Sequence, residues 1–130
     1  MILQTTLTLA AAATIINLWL VVRISRMRLS LKVMHGDGNN PALLHRMRAQ
    51  ANFIEHAPLF LILVAAIEIT GKGEAWLAIV GALFMLARVA HAFGMDRDAP
   101  NPLRAGGIAV TLLTELALAV VAVLIALGRM

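Results

Sequence analysis

The sequence predicts an all-α integral membrane protein, a four-helix bundle of up-down topology. Three observations carry that prediction. Of the 130 residues, 61% are hydrophobic and only 14% charged, with a mean hydropathy of +0.87. An ordinary soluble domain is about 45–50% apolar and about 25% charged. The apolar residues gather in four stretches close to the roughly 20 residues that a bilayer crossing needs. Between them lie three polar connections containing Gly, Pro, Asn or Asp. The same composition excludes intrinsic disorder and a collagen-like repeat, and the absence of cysteine excludes a disulfide scaffold. It also excludes a thiolate of the chain itself as nucleophile or metal ligand.

Residues 2–22 carry no charge and form the first span. No Lys or Arg precedes it, and its apolar run exceeds a signal-peptide core of about 7–15 residues, so it is expected to be retained. Arg23, Arg26, Arg28 and Lys32 follow at once, and His35 to Pro41 then reads as a loop of turn formers closed by proline. The second span covers about 43–69, with its apolar heart at 57–67. Gly71 to Glu74 is short enough to make neighbouring helices antiparallel. The third span covers about 75–95, the polar run from Asp96 to Pro102 is a loop, and the fourth span covers about 103–127. The chain, 1–130, reads as one domain.

Four alternating spans put both termini on one side. Nine of the eleven basic residues flank the other side, six from Arg23 to Arg48 and three from Arg88 to Arg104. The positive-inside rule places that side in the cytoplasm and both termini outside it, in periplasm or lumen. Bacterial inner membrane is the expected location. Basic residues at the edges of apolar spans, not along a soluble face, also argue against nucleic acid as a partner, despite a net charge of +4 and a pI near 11.2.

A charge at membrane depth costs about 2.5–3.5 kcal/mol on insertion scales, so each one needs a reason. In the second span Arg48, Asn52 and Glu55 fall at i, i+4 and i+7, with His45 three residues before, and share one helical stripe. His56 lies one position round from it. In the third span Arg88, His91 and Met95 make another stripe, and Glu115 sits in the middle of the fourth. Two such stripes facing each other predict a hydrated pocket open to the basic side. Plainer readings hold for part of the set. Arg88 and Glu115 suit a structural ion pair. Glu68, Lys72 and Glu74 suit interfacial charges. Arg23, Arg26 and Arg28 suit topology determinants that meet lipid headgroups. Phe93 and Met95 suit packing. Glu55, His56 and His91 have no recognised metal-ligand spacing, so no metal is expected. Arg48, Asn52 and Glu55 together exceed what one ion pair requires. Pro58 removes a donor one turn later and predicts a kink or a free carbonyl at Ile54. Ala10 to Ala13, Gly81-Ala82 and Ala105 to Gly107 supply small residues for close helix approach.

The run Arg48-Ala49-Gln50-Ala51-Asn52-Phe53-Ile54-Glu55-His56-Ala57-Pro58-Leu59-Phe60 resembles the helix-two signature of the MAPEG family, the membrane-associated proteins of eicosanoid and glutathione metabolism. Ala87-Arg88-Val89-Ala90-His91-Ala92-Phe93-Gly94-Met95 resembles the family's helix-three end. Length, span number and outward termini agree across nearly the whole chain, in the manner of bacterial members similar to microsomal glutathione transferases. The resemblance implies a homotrimer that holds glutathione, as co-substrate, between subunits near the cytoplasmic face. By position it assigns Arg48, Gln50, Asn52 and Glu55 to glutathione, with His56, Arg88 and His91 beside them. Arg104 matches the arginine that stabilises the glutathione thiolate, although a shifted alignment of the preceding loop would give that role to Arg97. Arg26 or Arg28 corresponds to a basic residue at the end of helix one.

The chain departs from the family by having no tyrosine, with His56, His91 and Met95 in the positions where tyrosines are usual. His can still donate a hydrogen bond and Met cannot. The function implied is a glutathione-dependent transferase or peroxidase acting on lipophilic electrophiles that enter from the bilayer beside helices one and four. The alternative is a non-catalytic lipid- or thiol-binding member. A small exporter is disfavoured, because four-helix exporters often carry their key acid in helix one, and that span is uncharged here.

Overall fold

The computed structural model describes residues 2–130 and contains, among them, four helices: α1 (Gln4–Leu31), α2 (Pro41–Ile69), α3 (Ala75–Gly94) and α4 (Pro102–Ala126). Each is long and apolar enough to cross a membrane. The chain is an all-α four-helix membrane bundle. Helix ends fall within a residue or two of the predicted spans, except that α1 continues through the basic segment to Leu31. Arg, Met, Leu and Ser give that segment no helix breaker. It stops where Lys32 turns left-handed (φ 55°) and the Val33 N–H returns to the Arg28 carbonyl at 3.0 Å. α2 and α4 both begin on Asn-Pro. The Asn40 and Asn101 side chains each accept the N–H three residues on, at 3.0 Å, while proline takes the first helical position.

Packed most extensively are α3 on α4 and α1 on α2, and the ring closes through α2–α4 and α1–α3. α1 and α4 stand on opposite corners and do not touch. The core follows the buried stripe of α2, where Ala49, Phe53, Ala57, Phe60, Val64 and Ile67 recur every three or four residues. Phe60 stacks on Phe84 of α3 with ring centroids 3.8 Å apart. Pro58 is exposed and α2 stays helical through it. Small residues sit where helices close up. Gly81 lies against the Leu9 side chain, and Gly107 against the Ala87 carbonyl and the His91 backbone.

At the basic end, Arg23 on α1 pairs with Asp96 in the α3–α4 loop and lies over the rings of Trp19 (5.0 Å) and Phe93 (5.8 Å). Arg46 Nη1 donates to the Arg23 carbonyl at 2.9 Å, and His45 Nε2 lies 3.1 Å from Asp98. Arg23 therefore packs the bundle as well as marking its topology.

At the other end the structure corrects the reading of Glu68 as an ordinary interfacial charge. Its side chain is buried, and its carboxylate accepts from the N–H of Thr5 (2.7 Å), the N–H of Thr6 (2.8 Å) and the Thr6 hydroxyl (2.7 Å). α1 has no side-chain cap of its own and no acid in its first turn. An anion from α2 satisfies its orphan donors and opposes its dipole. Glu68→Gln is expected to lower stability by about 1.5 kcal/mol, the lower end for hydrogen bonds to a charged group. The fall is read as a lower unfolding midpoint in detergent, whereas Glu74→Gln, on an exposed side chain, should leave the midpoint unchanged.

Candidate functional site

α2 carries two stripes offset by one residue. The apolar one enters the core, and Arg48, Asn52 and Glu55 run beside it. On α3, Arg88 and His91 lie one turn apart and are buried, at 2% and 4% exposure. On α4, Thr111 and Glu115 stand one turn apart on the side that meets α2 and α3. The two predicted stripes do meet. Arg88 Nη2 donates to Asn52 Oδ1 in a short bond, and Nη1 donates to the Thr111 hydroxyl at 3.1 Å. The Thr111 hydroxyl in turn donates to the Gly107 carbonyl at 2.8 Å.

The expected Arg88–Glu115 ion pair does not form. Glu115 turns to His56, whose Nδ1 lies 3.0 and 3.1 Å from its two carboxylate oxygens. The cause is depth. Thr111 occupies the position opposite Arg88, and Glu115 lies a turn further along α4, level with His56, which is a turn beyond Asn52 on α2. The result is two polar layers, Asn52–Arg88–Thr111 nearer the basic face and His56–Glu115 below it. Arg88 Nε and His91 Nδ1 are buried without a partner among the described residues. Arg88 is thus a buried guanidinium with no carboxylate in ion-pair range among the described residues.

The remaining predicted residues divide into held and free. Gln50 turns to α1, where its Nε2 donates to Asn17 Oδ1 at 3.3 Å. Arg28 is tied to the Gly36 carbonyl (2.6 Å) and to Met47 Sδ (3.5 Å). Arg26, Arg48, Glu55, Arg97 and Arg104 are exposed, and none joins an ion pair among the described residues. Arg104 nevertheless has a fixed backbone. Its N–H donates to Asn101, the Asn101 amide donates to the Gly94 carbonyl at 2.8 Å, and a Cβ at Gly94 would overlap the Arg104 backbone. Arg97 belongs to the exposed loop. Asn17 and Thr111 were not singled out by sequence. Their signals are an amide deep in an uncharged span and a hydroxyl one turn before Glu115.

A groove of about 350 Å³, lined by Leu83, Leu86, Ala87, Ala90, Leu103 and Gly106, runs between α3 and α4 up to the residue before Arg104. It is open on the outer surface of the bundle. Within the single chain this groove, and not a contact of α1 with α4, is the apolar path that adjoins Arg104. Chemically, the chain offers guanidinium groups for anions, Glu55 for a cation and an apolar surface adjoining Arg104.

A model described as the MAPEG family matches residues 6–124. The inner membrane protein YecN of Escherichia coli (strain K12) is 29% identical over 72 residues, which are 55% of this chain and 54% of that protein. YecN of Escherichia coli O6:H1 matches with the same identity and coverage. The match spans about half the length of these curated relatives.

Proposed function

The chain belongs to the MAPEG family, and on that premise we propose that it is a membrane-bound, glutathione-dependent transferase or peroxidase acting on lipophilic electrophiles. One observation carries the reading. Arg48 and Glu55 stand exposed on a helix that crosses the membrane, with no ion-pair partner among the described residues. Unpaired charge at that depth is costly and marks a binding site or an assembly surface. Glutathione carries two carboxylates and an ammonium, so Arg48, Arg26 and Glu55 supply groups of matching sign. Asn52, Arg88 and His91 form the wall behind them. Assembly of three copies would cover the same charged stripe, and the pocket then lies between subunits on the cytoplasmic side, with both termini outside. The inner membrane location named for YecN fits this orientation.

Arg104 is assigned to the sulfur. A free thiol has a pKa of about 8.5 and reacts as the thiolate. A guanidinium close by favours the charged form and raises its share at neutral pH. The sulfur electron pair then attacks an electrophilic carbon with loss of a leaving group, or the outer oxygen of a hydroperoxide with release of an alcohol. The groove beside Leu103 is the surface on which a lipophile would lie. The absence of tyrosine supports the second reading, a lipid- or thiol-binding member without catalysis.

A calorimetric glutathione titration of the detergent-solubilised protein tests the shared premise. Turnover with an aromatic halide, a hydroperoxide and an activated alkene then tests the chemistry. Binding with turnover of at least one substrate is the expected result. Binding without turnover of any selects the non-catalytic reading, and absence of binding removes glutathione from both.

A further inference from the structure

Arg104 can stabilise a thiolate but cannot take the proton that forms it, because a guanidinium has no acceptor. The chain has no cysteine and no tyrosine. A proton acceptor in the polar stripe must therefore be a carboxylate or an imidazole, which leaves Glu55, Glu115, His45, His56 and His91. Glu55 is exposed with nothing to orient it. His91 is buried, with Nδ1 unpartnered. His45 meets Asp98 of the exposed α3–α4 loop, and within the membrane-spanning part of the stripe His56 is the imidazole with a carboxylate behind it.

The Glu115 oxygens lie 3.0 and 3.1 Å from His56 Nδ1, with side-chain exposures of 20% and 18% for the two residues. An ionised carboxylate only accepts, so Nδ1 carries the hydrogen and the lone pair of the neutral ring stands on Nε2. Nε2 has no hydrogen-bond partner and is not among the enclosed unpartnered atoms. A ring nitrogen held by a carboxylate, with the other nitrogen free, is the base-and-orienter arrangement of general-base sites.

We propose that His56 and Glu115 form a base dyad that removes the thiol proton of bound glutathione, His56 as the acceptor and Glu115 as its positioning residue. The inference rests on the glutathione reading above. In the step, the S–H bond breaks, its proton passes to His56 Nε2, and the electron pair stays on sulfur. Glu115 keeps the Nδ1–H bond and offsets the imidazolium. The charged group in contact with the ring is Glu115 on α4; the titratable groups of the adjoining polar layer are Glu55 on α2 and Arg88 and His91 on α3, while α1 has no charge among residues 2–22.

The test follows thiolate absorbance of glutathione bound to the solubilised protein as pH is raised. It is paired with titration of S-methylglutathione, which has no thiol proton. In the wild type the midpoint is expected below that of free glutathione. His56→Gln should move it up by about one pH unit or more and lower kcat at pH 7 roughly 100-fold, the low end for loss of a general base. S-methylglutathione affinity should stay within about threefold of wild type, because the pocket walls remain. Glu115→Gln should shift the midpoint in the same direction by less, and Glu115→Asp should restore it. Should either single variant fail to fold, His56→Gln with Glu115→Gln removes the charge and its partner together and serves in its place. A wild-type midpoint in these variants, with S-methylglutathione still bound, overturns the dyad and leaves the glutathione reading standing. Equal loss of S-methylglutathione and glutathione binding also overturns it, as a purely structural pair. A wild type that binds neither compound removes the glutathione reading, and the dyad with it.

Discussion

Gly107→Leu is expected to destabilise the protein by at least about 2 kcal/mol, whereas Gly106→Leu, one residue away, should be neutral or slightly stabilising. The Cβ added at Gly107 would lie 2.7 Å from the Ala87 carbonyl oxygen and 2.7 Å from the His91 backbone nitrogen. These are backbone atoms of α3, so the clash is relieved only by moving the helices apart. Overpacking costs about 1–3 kcal/mol, and contact with backbone puts this site at or above the upper end. Replacing a helical glycine returns about 1 kcal/mol of propensity, leaving a net loss of about 2. The Cβ at Gly106 meets nothing within 4 Å, so the propensity gain stands alone there. Unfolding midpoints of the two variants in the same detergent separate these cases. Equal midpoints would show that α3 and α4 do not close at Gly107. The functional consequence comes through Thr111, whose hydroxyl is anchored on the Gly107 carbonyl and receives Arg88. Widening the α3–α4 contact loosens the layer that holds Asn52, so glutathione affinity is expected to fall with stability.

Much of this arrangement was legible in the sequence, and the exceptions share a cause. Span number follows from the lengths of the apolar stretches, and the polar stripes of α2 and α3 follow from helical periodicity, which depends only on spacing along one helix. Asn52 and Arg88 could therefore be placed on facing surfaces before their bond was seen. Partner choice across helices depends on relative depth, which spacing within a helix does not encode. Glu115 was paired with Arg88 on charge alone, and only the register of α4 against α2 brings it level with His56. Glu68 was misjudged for the same reason, since its partners are the first amides of a helix more than sixty residues earlier. The continuation of α1 to Leu31 was missed because a change in polarity marks the edge of a membrane, not the end of a helix. Arg48 and Glu55 differ from all of these. They lie on α2 as helical spacing places them, and neither joins an ion pair among the described residues.

Arg104→Ala is expected to lower the rate of glutathione conjugation about 100-fold at neutral pH while changing glutathione affinity by less than about threefold. The magnitude is that of removing one preorganised donor from a site of developing negative charge, about 100- to 1,000-fold. The asymmetry between rate and affinity follows from where the charge appears. The two carboxylates and the ammonium of glutathione are present at binding and are left to Arg48, Arg26 and Glu55, whereas the sulfur becomes anionic only on activation. Arg104 suits that role better than Arg97 because of what holds it. Its backbone is fixed by the Asn101 cap and by Gly94, where any side chain would overlap it, while Arg97 lies in the exposed α3–α4 loop. A donor on a rigid helix turn costs little reorganisation when the charge forms, and a loop donor costs more. Arg97→Ala is accordingly expected to retain most of the rate. Arg104→Lys keeps a point charge without the planar fork and should recover only part of it. Rate and affinity measured together on the three variants decide the assignment. A large rate loss in Arg97→Ala with Arg104→Ala near wild type would transfer the thiolate to the loop, and parallel losses of rate and affinity in Arg104→Ala would make it a carboxylate anchor instead.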